Sequence, residues 1–223
     1  MSVPGYTFSL SGAQLVALGS GALYWPRHNM LCVSDLHLGK SGRQARLLNP
    51  ALPPYEARDT LARLEADIRA TRATSVICLG DSFDDARAAD ELPETEKLWI
   101  ASLQAGRQWY WVEGNHDPGP VNLGGTHLAE VDFAPLRFRH IALSGETGEI
   151  SGHYHPKAKV AGVSRPAFLI DAERVIMPAY GTYTGGLFCD RAPLNALMGA
   201  QALAVLTGDV ARPVPMPRKE QAR

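Results

Sequence analysis

The sequence predicts an α/β protein with two sheets, and three observations predict it. Between Met30 and Val112, short apolar runs alternate with amphipathic stretches in the strand–helix–strand order of a parallel sheet. After about Thr126 the pattern changes to short strands separated by tight-turn residues, which predicts a second, antiparallel or mixed sheet. The apolar runs of the first half end in loops rich in Asp, Asn and His, and open α/β sheets collect their ligand sites beyond the carboxyl ends of the strands.

The length, 223 residues, suits one domain with a sizeable core, expected over 1–211, followed by a tail over 212–223 whose prolines and charges predict disorder. Hydrophobic residues at 45% and charged residues at 20% place the chain among ordinary globular proteins. A formal net charge of -1 excludes a global basic field, so a nucleic-acid partner would have to be met by a local patch. The three cysteines, Cys32, Cys78 and Cys189, form no CxxC pair, and two of them lie inside apolar runs. That pattern predicts reduced core thiols and not a zinc ribbon or a disulfide framework. The start MSVPGYTFSL lacks the basic and apolar regions of a signal peptide, and no apolar run would span a bilayer. A cytoplasmic protein with no membrane association is expected.

In chain order, Gln14–Leu18 and Ala22–Trp25 flank Gly19-Ser20-Gly21 as a hairpin. Met30–Ser34 is a buried strand, and 41–54, polar and proline-bearing, reads as a loop. Leu61, Leu64 and Ile68 recur at helical spacing, predicting a helix from about Tyr55 to Arg72. Ser75–Leu79 is the second buried strand. Glu94 to Leu103 is the second helix, with Pro93 near its start, where a missing N–H costs nothing. Trp109–Val112 is the third strand. Short strands are expected around 126–133, 136–143, 157–160, 167–170, 174–177 and 202–206.

The three strands of the first half lead into Asp35-x-His37, Gly80-Asp81 and Gly114-Asn115-His116. Downstream, His140 and the pair in Gly152-His153-Tyr154-His155 add three imidazoles. Together Asp35, His37, Asp81, the Asn115 amide oxygen, His140, His153 and His155 exceed what one divalent ion needs. Oxygen and imidazole donors without thiolate suit Mn²⁺, Fe or Zn²⁺. Two ions sharing one carboxylate would clamp a phosphoryl oxygen and lower the pKa of a bound water to roughly 7.

The order Asp-x-His, Gly-Asp-x-x-Asp, Gly-Asn-His-Asp, a lone His and Gly-His-x-His, from about Ser34 to Pro156, resembles the calcineurin-like metallophosphoesterases. The resemblance implies a two-sheet β-sandwich flanked by helices, with a dinuclear metal site at the carboxyl ends of the strands. It implies that Asp35, His37, Asp81 and His155 hold one metal and that Asp81, Asn115, His140 and His153 hold the other, with Asp81 bridging and Mn²⁺ the first choice. His116 would then be a proton donor to the leaving oxygen, oriented by Asp84. More narrowly, Asp35–Ser41, Ile150–Pro156 and Pro178–Gly186 resemble the bacterial ligase-associated DNA damage response endonucleases. That branch implies a nucleic-acid phosphodiester substrate and, as partners, an ATP-dependent DNA ligase and a helicase. The short segment between Gly114 and His140 leaves little room for a capping insertion, so the groove is expected to be open.

Lys40, Arg43 and Arg46 read either as phosphate contacts beside the metals or as solvated loop charges, and Arg137 and Arg139 as groove or surface charges. Tyr180 and Tyr183 either stack on bases or pack their glycine-rich loop onto the sheet. His28 and His127 carry no motif, and Asp85, Asp90 and Asp117 read as solvated turn or surface charges. The functional readings are a dinuclear-metal phosphodiesterase acting on nucleic acid, a phosphomonoesterase or small-nucleotide hydrolase, and a non-catalytic module docking on a ligase or helicase.

Overall fold

The structure, a computed structural model, describes residues 3–48, 50 and 52–218. Two sheets are stacked face to face. The first runs in chain order from edge to edge: β1 (Tyr6–Leu10), β2 (Ala13–Ala17), β3 (Leu23–Trp25), β4 (Met30–Val33), β5 (Ser75–Leu79), β6 (Gln108–Val112) and β7 (Thr126–Leu128). β1 to β4 pair antiparallel, and β4 to β7 pair parallel. The connections after β4 and β5 carry α1 (Lys40–Arg46), α2 (Glu56–Thr71), α3 (Ala88–Glu91) and α4 (Glu94–Gln104).

The second sheet uses β8 (Glu130–Phe133), β9 (Leu136–Arg139), β10 (Glu149–Ser151), β11 (Lys157–Val160), β12 (Val163–Ile170), β13 (Arg174–Ile176), β14 (Leu203–Leu206) and β15 (Arg212–Pro215), with α5 (Leu194–Leu197) before β14. Its order is β15-β14-β12-β13-β10-β9-β8, and β11 adds to β12 as a hairpin. The stretch 126–133 divides at Ala129. Its first part extends the parallel sheet beside β6, and its second pairs antiparallel with β9. The chain changes sheets there.

Alternation along the central strands explains the layers. Ile77 and Leu79 point with Cys32 and Val112 into the core between the sheets, against Phe138, Ile150, Phe168 and Val175. Val76, Cys78, Leu31 and Val33 point the other way, onto Leu61, Leu64 and Ile68 of α2 and Ile100 and Leu103 of α4. A strand buried on both faces is what a parallel sheet under helices requires. All three cysteines are free and buried, and burial pushes the Cys32 thiol well up. No helix among the described residues is long and apolar enough to cross a membrane.

Two expectations are corrected. The stretch from Lys40 to Arg46, read as loop, is helical. Its signal is tertiary: the Glu56 carboxylate accepts from the Ser41 N–H and hydroxyl at 3.0 and 2.7 Å, satisfying a helix-start donor. The expected boundary at 211 does not end the fold, because Arg212–Pro215 pairs with β14. Pro213 and Pro215 are tolerated because β15 is an edge strand. Residues 219–223 of the expected tail lie outside the described residues.

Candidate metal centre

β4, β5 and β6 deliver their loops side by side because the loops themselves continue the pairing. The N–H groups of Asp35, His37 and Leu38 donate to the carbonyls of Gly80, Asp81 and Ser82, and that of Asp84 donates back to Leu38. The glycine-rich stretch 178–186 supports the first loop from behind: Tyr180 and Gly181 donate to the carbonyls of Ser34 and Asp35. Tyr180 is buried, its hydroxyl bonded to Asp67 at 2.8 Å and its ring under Arg63, so it packs the loop and is closed to a base. Tyr183 is exposed.

Two separate groups of donors result, Asp35, His37 and His155 in one and Asp81, His140 and His153 in the other, while Asp84 and His116 close a further group around His37. In the first, His155 Nε2 lies 3.2 Å from Asp35 Oδ1 and 3.3 Å from His37 Nε2. In the second, His140 Nε2 lies 3.3 Å from Asp81 Oδ2, 3.1 Å from the Asn115 amide oxygen and 3.3 Å from His153 Nδ1. Donors about 2.1 Å from one ion, in tetrahedral or octahedral geometry, stand about 3.0–3.4 Å from each other. The observed spacings fit.

Proton placement gives the same answer. His140 Nδ1 faces the Leu79 carbonyl at 3.1 Å, so it carries the hydrogen and leaves Nε2 as an acceptor among other acceptors. His37 Nδ1 is 3.0 Å from Asp84 Oδ1, which likewise turns its Nε2 toward His155. Buried acceptors that converge without a hydrogen between them call for a cation. Burial works to raise both ligand carboxylates, but His155 and His140 hold Asp35, and His140 and the His116 N–H hold Asp81, below the usual range.

The backbone is bent for this purpose. Asp35, His37, Asp81, His153 and His155 all have positive φ, between 45° and 71°, a region that non-glycine residues occupy at a cost and that clusters at functional sites. Gly114 and Gly152 permit the closeness: a Cβ on Gly114 would collide with the Asp81 backbone and carboxylate, and one on Gly152 with Ser34 and Asp35.

The chain belongs to the calcineurin-like phosphoesterase family. Its residues 28–190 match the model of that family, described as Calcineurin-like phosphoesterase. The fold is also similar to a solved structure described as Pseudomonas putida nuclease MPE, with 26% identity and a TM-score of 0.75, covering 94% of this chain and 99% of that one. No curated protein matches the sequence. Members of the family bind divalent metals, and the two donor groups are where this calcineurin-like phosphoesterase would hold them.

The remaining expected residues divide. His116 lies at the site, its Nδ1 2.9 Å from a carbonyl and its ring 5.1 Å from that of His37. The carbonyl is that of Asp84; the Asp84 carboxylate stands within 4.8 Å of a His116 ring nitrogen without pairing with it. It meets His37, Lys40 and Arg43 at 3.0, 3.8 and 3.2 Å. Burial alone would raise the Asp84 carboxyl, but these partners outweigh it and hold it at about 2. Asp84 therefore orients His37 with its side chain and His116 with its backbone. Lys40 and Arg43 sit beside the centre. Arg139 does not: it is buried on the sheet face opposite Phe138 and paired with Glu130 and Glu149 at 2.8 and 3.6 Å. The strand alternation that turns Phe138 into the core between the sheets turns Arg139 to the opposite face, onto Glu130 and Glu149.

Asp117 was missed. It is buried, accepting from the N–H groups of Ser82 and Phe83 at 2.8 and 3.1 Å through Oδ2 and from Gly114 at 3.1 Å through Oδ1. It ties the Asp81 loop to the Asn115 loop. Burial is the main cause that pushes its carboxyl up to about 6. Its place directly after the Gly-Asn-His run is the only sequence signal for this role. Ser34 was also missed; its hydroxyl donates to Asp35 Oδ2 at 2.5 Å.

Proposed function

We propose that this phosphoesterase hydrolyses phosphodiester bonds in nucleic acid with two divalent ions, as a DNA-repair endonuclease. The observation that supports it most is the pair of donor groups, each with at least one buried carboxylate and two imidazoles, facing each other beside His116. Asp35, His37 and His155 would hold one ion, Asp81, Asn115, His140 and His153 the other, with Asp81 as the bridging ligand and Mn²⁺ the preferred metal. When bound, the ions supply Lewis acidity to the phosphoryl oxygens and a nucleophile derived from water at neutral pH.

The chain's own residues do the rest. Asp84 holds His37 by its carboxylate, and the Asp84 carbonyl takes the Nδ1–H of His116, leaving Nε2 to carry the transferable proton. As a hydroxide oxygen adds to phosphorus and the bond to the leaving oxygen breaks, His116 Nε2 would pass its proton to that leaving oxygen. Lys40 and Arg43, gathered on Asp84, add positive charge where negative charge develops. A role beside an ATP-dependent DNA ligase and a helicase is the setting that the sequence resemblance implies, and reduced core thiols suit a cytoplasmic location.

The test is turnover of bis-p-nitrophenyl phosphate, p-nitrophenyl phosphate, single-stranded and nicked DNA, and RNA, each with and without added Mn²⁺. Metal-dependent cleavage of the diester and of a polynucleotide is expected. Turnover confined to the monoester would replace this reading with a phosphomonoesterase. Elemental analysis should approach two equivalents of metal, falling in Asp81→Asn; full retention by that variant would end the bridging assignment.

A further inference from the structure

The cations expected to contact a polynucleotide do not line a path along it: Lys40 and Arg43 are gathered on Asp84 beside the metal centre, and Arg139 is paired with Glu130 and Glu149. A different set is better placed. No Asp or Glu occurs between Ile150 and Ile170, and β11, which begins two residues after His155, carries Lys157 and Lys159 on one face. Residues two apart on a strand are about 6.7 Å from each other, close to the reach of one extended nucleotide.

The segment after the glycine-rich loop lies along β11. Lys157 N–H donates to the Leu187 carbonyl, and Cys189 N–H donates to the Lys157 carbonyl, each at 2.9 Å. Leu187 N–H also donates to the His155 carbonyl at 3.2 Å, so this surface is continuous with the metal loops. The pairing places Phe188 between two cations, with Lys157 Nζ 4.9 Å and Arg191 Cζ 5.6 Å from its ring centroid. Beside it opens a groove of about 280 Å³ lined by Lys159, Phe188, Cys189, Asp190, Arg191 and Pro217. Among the described residues none of Lys157, Lys159 and Arg191 has a carboxylate within ion-pair range. A cation held over an aromatic ring keeps its charge available to an anion, which a salt-bridged one does not.

We propose that Lys157, Lys159 and Arg191, arranged around Phe188, form the track that holds the polynucleotide strand next to the scissile phosphate. This rests on the nucleic-acid reading above. The track makes the chain favour polymers over small diesters, because only a polymer reaches from the metal loops to the groove.

The experiment compares wild type with Lys157→Gln/Lys159→Gln/Arg191→Gln on labelled oligothymidylate and on bis-p-nitrophenyl phosphate, at matched metal occupancy and across a salt series. The oligonucleotide kcat/KM should fall at least about ten-fold more than that of the small diester. The salt slope should shrink by about 0.7 for each lost contact, the value for a single strand. Arg27→Ala, an exposed cation at the opposite end of β4, should leave the ratio of the two rates as in wild type. Equal losses on both substrates, or an unchanged salt slope, would overturn the track. If the triple variant fails to fold, the three single variants carry the same comparison. Wild type that turns over the small diester but neither binds nor cuts oligonucleotides would overturn the nucleic-acid reading and the track together. Oligonucleotide cleavage untouched by the substitutions would overturn the track alone.

Discussion

Replacing Asp117 by alanine should loosen both metal loops at once. Its two oxygens accept three backbone N–H bonds, from Ser82, Phe83 and Gly114. Each buried N–H left without an acceptor costs about 1–3 kcal/mol, giving roughly 3–9 in all. The variant also stops burying a charge. A carboxyl raised from 3.8 to about 6 corresponds to roughly 3 kcal/mol against the ionised form at neutral pH, and removal of the charge returns that amount. The net expectation is a loss of about 3 kcal/mol, the middle of a range of roughly 0–6. Urea unfolding of the chelator-treated protein reads it without the stabilisation that bound metal adds. Asp117→Asn should lose less, since one amide oxygen still serves part of the set. Mn²⁺ affinity should fall in both variants, because the clamped loops carry Asp81 and Asn115. Asp117→Ala within 0.5 kcal/mol of wild type by this roughly two-state measure, with Mn²⁺ affinity unchanged, would refute the clamp.

Three further outcomes are expected. His116→Ala should keep its metal and lose about 10²–10⁴-fold in turnover, with a smaller loss when the leaving group is p-nitrophenolate; equal losses on good and poor leaving groups would remove the proton-donor role. Cys32→Ser should cost roughly 1–3 kcal/mol by burying a hydroxyl in the core between the sheets, and loss of turnover in folded protein would show the thiol to be more than structural. Burial raises the Asp67 carboxyl above its ordinary value despite its bonds from Tyr180 and Ser20. The folded state then binds this proton more tightly than the unfolded state, so the stability it confers is present at acid pH and is lost as pH rises through the raised value. Unfolding midpoints of Asp67→Asn should rise relative to wild type as pH increases through the raised value, and a difference between the two that stays constant with pH would contradict this.

Much of the molecule was legible in local pattern. Leu61, Leu64 and Ile68 announce α2 because a helix repeats every 3.6 residues, and they lie on its buried face. The runs ending at Val33, Leu79 and Val112 announce parallel strands because both their faces must be apolar. Asp35, His37, Asp81, His140, His153 and His155 were legible as donors because their residue types suit one chemistry and the strand order brings their loops to one edge. The tertiary structure decided what depends on distant partners. The helix at Lys40–Arg46 is supported by a carboxylate from α2, and Asp84 turns to His37 because Lys40 and Arg43 gather there. Asp117 is a clamp because two loops meet at it, and Arg139 is withdrawn because β9 points it at Glu130 and Glu149. Residue type and periodicity are local properties, written along the chain. Which carboxylate satisfies which donor depends on contacts between segments far apart in sequence, and those exist only once the sheets have closed on each other.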